Sequence, residues 1–355
     1  MTTTQFLSFP PSQLDKETDN SQTRDILVFF IPGNPGLIDY YKPFLSTLRG
    51  LLDEAESLRH LRFQIHGQNL AGFVDDDHEP FTSQRTPYDL EDQIQHTLEA
   101  LKGLRVDFGP RKGCPYDEVL LIGHSVGTYI ALEIFHQLLR DPDLAPQLNL
   151  SSGILLFPTI HHISHSPSGK KLDLLRRTPI LGDNAYRIAQ AFLRLLPRGA
   201  LRWIVESIMG FPVHGAEVTT RWLKSRDGVW QALHMGMDEM KVIGEDHWDE
   251  ELWEIAHEAE THDKVIPKFF FFFGKHDHWV ANHYRDDFIQ KRQKQIERTR
   301  LVVDEGNIPH AFCISKLANP HSIRILLRWN LHKTEHSEVI AEKVSLWINQ
   351  MYSSS

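Results

Sequence analysis

The tetrapeptide Val119-Leu120-Leu121-Ile122 runs straight into Gly123-His124-Ser125-Val126-Gly127, and beyond it Ile130, Ile134 and Leu138 recur at every fourth residue. A short unbroken apolar run reads as a strand buried on both faces, and the period that follows reads as one face of a helix. Between them, two glycines permit a turn too tight for side chains, which leaves the serine hydroxyl standing clear of the backbone. Strand, G-x-S-x-G and helix in that order predict a nucleophile elbow with Ser125 as the candidate nucleophile.

The rest of the chain supplies a sheet for that elbow. Ile26 to Ile31 is a second continuous apolar run, and it feeds Pro32-Gly33-Asn34-Pro35-Gly36, a loop of the kind that can aim main-chain N–H groups at one point. Leu61 to Ile65 reads as a strand followed by a polar loop, His66-Gly67-Gln68-Asn69. Thr86-Pro87-Tyr88-Asp89 reads as a helix start with Thr86 as N-cap, ahead of an apolar face formed by Leu90, Ile94, Leu98 and Leu101. Further strands are expected at Gly153 to Pro158, at the five phenylalanines Phe269 to Phe273, and at Arg300 to Val303; Ile340, Val344, Trp347 and Met351 mark a closing helix. Strands alternating with helices predict an α/β layer fold with a mainly parallel sheet. The expected boundaries are a mobile polar leader over 1–22, a core formed by 23–158 and 267–355, and a helical cap inserted over 159–266, where strand runs stop.

Charge narrows the partners. With 38 Lys and Arg against 47 Asp and Glu, the net charge of −9 argues against a chain built to grip nucleic acid phosphates. Two cysteines, Cys114 and Cys313, are too few for a disulfide framework, and point to a reducing compartment. The first residues carry neither a basic region nor a long apolar run, so neither a secretory signal nor a transit peptide is expected, and charged residues or glycines interrupt every candidate for a spanning helix.

The cap has two signs. Between Lys170 and Arg202 there are eight Lys or Arg against Asp173 and Asp183, and two apolar helical faces flank Pro197-Arg198-Gly199. This composition suits a basic amphipathic hairpin lying in a lipid interface, with Arg187, Phe192, Leu195, Arg198, Leu201, Trp203, Ile204 and Ile208 as candidate contacts. The same stripes would equally pack a cap onto a core. From Glu245 to Asp263 nine acids stand without a Lys or Arg, which reads as a solvated helix docking Leu252, Trp253 and Ile255.

A serine hydroxyl is a weak nucleophile near neutrality and needs a base, itself oriented by a carboxylate. Asp277 follows the phenylalanine strand and His310 follows the last strand, giving the chain order serine, acid, histidine. Asp304 is the alternative acid, and His276 and His278 are alternative bases. His276-Asp277-His278 and the group His161, His162 and His165 lack the spacing of a closed metal site, so neither a metal nor any other cofactor is expected. The N–H groups of Asn34 and Val126 are the candidate oxyanion hole.

Taken together, Ile31-Pro32-Gly33-Asn34-Pro35-Gly36 with Tyr40, Tyr41 and Phe44, then the elbow, then Leu156-Phe157-Pro158-Thr159-Ile160 with Ser166-Pro167-Ser168-Gly169, and finally Asp277 and His310, resemble the lipid-droplet-associated serine hydrolases. The resemblance runs from about residue 25 to 350. It implies an α/β-hydrolase fold with a mainly parallel central sheet and a helical cap insertion, and attachment to the lipid droplet monolayer from the cytosolic side, with the endoplasmic reticulum as a further location. It also implies hydrolysis of neutral lipid esters of sterol ester or acylglycerol type by Ser125, His310 and Asp277. Two other readings share these residues: a droplet-surface organising protein with weak or vestigial catalysis, and an acyltransferase in which an alcohol replaces water.

Overall fold

The computed structural model describes residues 4–12, 23–178, 186, 190–248, 252, 267–292, 299–316 and 335–353. Its strands are β1 (Phe6–Phe9), β2 (Arg24–Ile31), β3 (Leu61–Gln68), β4 (Glu118–His124), β5 (Leu150–Leu156), β6 (Lys268–Phe273) and β7 (Thr299–Val303). They form one seven-stranded sheet in the order β1-β3-β2-β4-β5-β6-β7. Every neighbouring pair is parallel except β1 against β3. The helices are α1 (Lys42–Glu54), α2 (Leu90–Gly103), α3 (Val126–Arg140), α4 (Pro167–Arg177), α5 (Arg198–Trp203), α6 (Val213–Leu223), α7 (Gly228–Val242), α8 (Asn282–Arg292) and α9 (His336–Ser353).

The phenylalanine strand shows why the sheet is covered twice. Successive side chains of a strand point to opposite faces, and the rings divide accordingly. Phe271 and Phe273 lie 5.1 and 6.0 Å from Phe288 of α8, whereas Phe270 and Phe272 lie 5.8 and 6.0 Å from Trp347 of α9. Phe269 meets Phe135 of α3 at 4.9 Å, on the α8 side. Burial of each such ring stabilises the fold by about 1.5–3 kcal/mol, so β6 anchors both helical layers at once. Ile340, Val344, Trp347 and Met351 are buried on the face of α9 that the periodicity marks.

Three local expectations are corrected. Residues 6–9, within the stretch read as a mobile leader, form the antiparallel edge strand β1, whose Phe6 ring stacks on His66 at 5.4 Å. His66 to Gln68, read as a loop, continues β3: these polar residues are held between β1 on one edge and, as far as Gly67, β2 on the other. The N-cap of α2 is Asp89 and not Thr86, because Asp89 and Asp92 exchange side-chain-to-backbone hydrogen bonds in a capping box.

Between β5 and β6 the described elements are all helical, and among the described residues no helix is long and apolar enough to cross a membrane. Trp248 and Leu252 of the acidic stretch are buried. The remainder of that expected helix, with Trp253 and Ile255, lies outside the described residues.

Candidate active site

The loops that follow β2, β4, β5, β6 and β7 all leave from the C-terminal edge of the parallel sheet, the edge at which open α/β sheets carry their sites. Ser125 stands between the end of β4 and the first residue of α3 with φ 54° and ψ −125°. That left-handed backbone is costly for a residue with a side chain and is held by its surroundings: Ser125 N–H donates to the Leu156 carbonyl at 3.0 Å, and Thr128 N–H donates to the Ser125 carbonyl at 2.9 Å. A Cβ on Gly127 would overlap the Ile31 carbonyl, so only glycine lets α3 start this close to β2.

The structure brings together the three residues expected from chain order. His310 Nδ1 lies 2.7 Å from Asp277 Oδ2, and its Nε2 lies 2.8 Å from Ser125 Oγ. A carboxylate only accepts, so Nδ1 carries the proton and Nε2 is left to accept from the serine hydroxyl. Asp277 is 6% exposed, and its other oxygen accepts the Trp279 N–H at 2.8 Å. Burial alone would push this carboxyl up. The facing His310 and the Trp279 N–H outweigh that and hold it below the usual aspartate range. The alternatives are placed elsewhere: Asp304 accepts the Ile308 N–H at 2.7 Å and so shapes the loop that delivers His310, while His276 and His278 are exposed.

The candidate oxyanion donors lie one residue beyond Gly33, for Asn34, and one residue beyond Ser125, for Val126. A Cβ on Gly33 would stand 2.9 Å from Ser125 Cβ, which places the loop after β2 directly on the elbow. The Gly33 N–H is already committed, donating to Tyr41 Oη at 3.0 Å. Val126 opens α3, where the N–H groups have no intrahelical acceptor.

Sequence reasoning missed two residues under this site. His124 Nε2 lies 2.9 Å from the His310 carbonyl and its Nδ1 lies 2.7 Å from Tyr41 Oη. The carbonyl can only accept, so Nε2 carries the proton, and Tyr41 donates to Nδ1 while accepting from Gly33. One neutral imidazole therefore ties the loop of Gly33 and Asn34 to the loop of His310. Burial, with the neighbouring His310, lowers His124 to about 3, and burial pushes Tyr41 far up. The sequence signals were that His124 occupies the variable position before Ser125 and that Tyr41 stands among the residues carrying the resemblance, neither of which links the two.

The lowered His124 has a sign that can be checked. Above pH 6.5 folded and unfolded chains both hold it neutral; as pH falls from about 6.5 towards 3 only the unfolded chain takes up the proton, so stability drains away. Urea unfolding across this range is expected to show a steeper acid loss for the wild type than for His124→Gln.

The lipid-contact candidates are only partly together. Phe192, Leu195, Trp203 and Ile208 are 63%, 82%, 60% and 65% exposed, and Arg198 is exposed. Leu201 is buried and Ile204 half-buried, because the inner stripe of the 198–208 helix packs with Val205 towards α6, so Leu201 is corrected to a packing residue. Arg187 lies outside the described residues. Among the described residues, Asp75, His78 and Asp227 form a group of metal-ligating type, but the carboxylates already accept N–H groups of Phe81, Arg226 and Asp227.

Known proteins agree with this fold. The peroxisomal α/β-hydrolase Lpx1 of Saccharomyces cerevisiae superposes with a TM-score of 0.55 over 99% of this chain and 89% of its own, at 12% identity. A structure of DBJA gives 0.53 over 99% and 95%, at 13% identity. At such identities the likeness carries the fold alone, and the fold is that of the α/β-hydrolases. In sequence, the lipid droplet-associated hydrolase of Rattus norvegicus is 28% identical over 302 residues, 81% of this chain and 80% of the relative. That of Homo sapiens is 27% identical over 304 residues, 81% and 79% of the two chains. The family described as lipid-droplet associated hydrolase matches residues 24–313, and the chain belongs to that family.

Proposed function

We propose that this chain is a serine esterase that cleaves carboxylic esters of neutral lipids at a lipid droplet surface. The observation that carries the reading is the unbroken hydrogen-bonded series Asp277, His310, Ser125, on a strained serine at the C-terminal edge of the sheet. Ser125 Oγ attacks the ester carbonyl while His310 Nε2 takes its proton, and Asp277 stabilises the resulting imidazolium. The N–H groups of Asn34 and Val126 receive the oxyanion, each such donor contributing about 3 kcal/mol in the transition state. His310 then protonates the departing alcohol. Water, losing its proton to the same nitrogen, releases the acid from the acyl-enzyme.

A lipid surface as the place of action is supported by the names of the relatives and by large apolar side chains left in solvent beside Arg194, Arg198 and Arg202. Their aliphatic stems can lie along the interface with the guanidinium heads in water. The test is a panel of sterol esters, acylglycerols and short soluble esters, with the lipids presented as phospholipid-coated emulsions. Hydrolysis of the emulsified esters by the wild type supports the reading, and turnover confined to short soluble esters overturns the lipid substrate. Replacing Phe192, Leu195, Trp203 and Ile208 together by serine is expected to weaken flotation with the emulsion tenfold or more, with soluble-ester turnover unchanged. Unaltered flotation would make the stretch a cap element only.

A further inference from the structure

The carboxyl of Glu239 plays no part in the chemistry above, yet it sits 5% exposed on the cap helix α7 and is aimed at the core. Its Oε1 accepts from Asn34 Nδ2 at 3.0 Å, and the same amide nitrogen donates its second hydrogen to the Ala232 carbonyl at 2.9 Å. Ala232, Gly236 and Glu239 are spaced i, i+4, i+7 and so share one face of α7. Gly236 also lies beside the amide: a Cβ there would stand 3.5 Å from that nitrogen, an ordinary contact. The side chain of Asn34 is thereby held from two points of the cap, while its backbone neighbour Gly33 rests on Ser125.

We propose that Glu239 is a positioning residue: from the cap it fixes the Asn34 side chain and thereby aims the Asn34 N–H at the oxyanion. Tyr41 holds the neighbouring Gly33 N–H, and the Asn34 side-chain oxygen Oδ1 is buried without a partner among the described residues, so the described hydrogen bonds of the Asn34 side chain run to the cap alone. Burial raises Glu239 to about 8, which keeps it neutral near pH 7. A neutral acceptor suits this place, because a carboxylate there would oppose the negative charge that develops on the substrate oxygen. The helical cap thus helps to complete the oxyanion hole. Acylation and cap seating become coupled through the hydrogen bonds of the Asn34 amide to Glu239 and Ala232.

This assignment rests on Ser125 being the nucleophile, and the test separates the two. Full-length wild type, Glu239→Ala, Glu239→Gln, Asn34→Ala and the Asn34→Ala/Glu239→Ala double variant are compared on a soluble p-nitrophenyl ester, with thermal melting as the check on folding. Hydrogen–deuterium exchange is followed over residues 32–37. Glu239→Ala is expected to lower kcat about tenfold with KM within twofold of wild type and to speed exchange of the loop. Glu239→Gln, which retains the acceptor, is expected to stay within twofold in both. In the Asn34→Ala background the second substitution is expected to cost less than twofold further. Unchanged kcat in a folded Glu239→Ala, equal damage from Ala and Gln, or multiplicative losses in the double variant would each overturn the proposal. A wild type that neither turns over the ester nor reacts at Ser125 would overturn the catalytic reading itself, and the exchange data would still report whether Glu239 holds the loop.

Discussion

Ser125→Ala is expected to abolish ester turnover, with kcat falling by about a million-fold and melting left close to wild type. Removal of the nucleophile from a serine triad has an effect of that order because the remaining groups act only as a unit. What survives is the contribution of the oxyanion donors and of substrate binding, about 10³–10⁴ over water. The fold should tolerate the change. The side chain makes no cap hydrogen bond to α3, and the positive φ that strains Ser125 is imposed by β4, Gly127 and the Leu156 carbonyl, all of which remain. The measurement is initial rate on a soluble ester for both proteins from one preparation, with circular dichroism melting. A folded Ser125→Ala that kept more than a small fraction of wild-type activity would remove the serine from the chemistry.

Asp277→Asn is expected to cost about ten-thousand-fold in kcat while preserving the positions of all three residues. An asparagine amide can donate to His310 Nδ1, which would place the imidazole proton on Nε2 and turn the base into a donor facing Ser125. In the wild type the opposite tautomer is enforced by a carboxylate that accepts both from His310 at 2.7 Å and from Trp279 N–H at 2.8 Å. Asp304→Asn offers the contrast. That carboxylate serves the Ile308 N–H at 2.7 Å and makes no described contact with His310 Nδ1, so its loss should act on the loop and on stability far more than on the protonation of the base. Measured side by side, rates for the two variants distinguish an acid that orients the base from one that builds the turn beneath it.

What could be read from the sequence depended on the range of the interaction involved. The runs Ile26 to Ile31, Val119 to Ile122 and Phe269 to Phe273 are apolar because both sheet faces are covered, so they announced themselves residue by residue. Ser125 and Asp277 were legible because each follows such a run, and His310 because it follows the last strand, Thr299–Val303; the topology carries the ends of these parallel strands to one edge. β1 was not, since a four-residue edge strand whose Phe6 remains 54% exposed leaves no pattern distinct from a polar leader. The start of α2 was read three residues early, at Thr86, because the reciprocal bonds between Asp89 and Asp92 that mark the cap are set by side-chain geometry and not by residue type alone. Leu201 looked lipid-facing because an amphipathic stripe carries no mark of what covers it. The contacts of Tyr41 with His124 and of Asn34 with Glu239 cross 83 and 205 residues of chain, and no local spacing encodes them.

The central claim is that Ser125 is made nucleophilic by His310, and covalent capture tests it most directly. Intact-protein mass spectrometry of the full chain after treatment with a fluorophosphonate is expected to show a single adduct, mapped by peptide fragmentation to Ser125. The adduct should be absent from Ser125→Ala and form far more slowly in His310→Ala. A well-folded wild type that stays unmodified, or an adduct that persists at full rate in Ser125→Ala, would contradict the account.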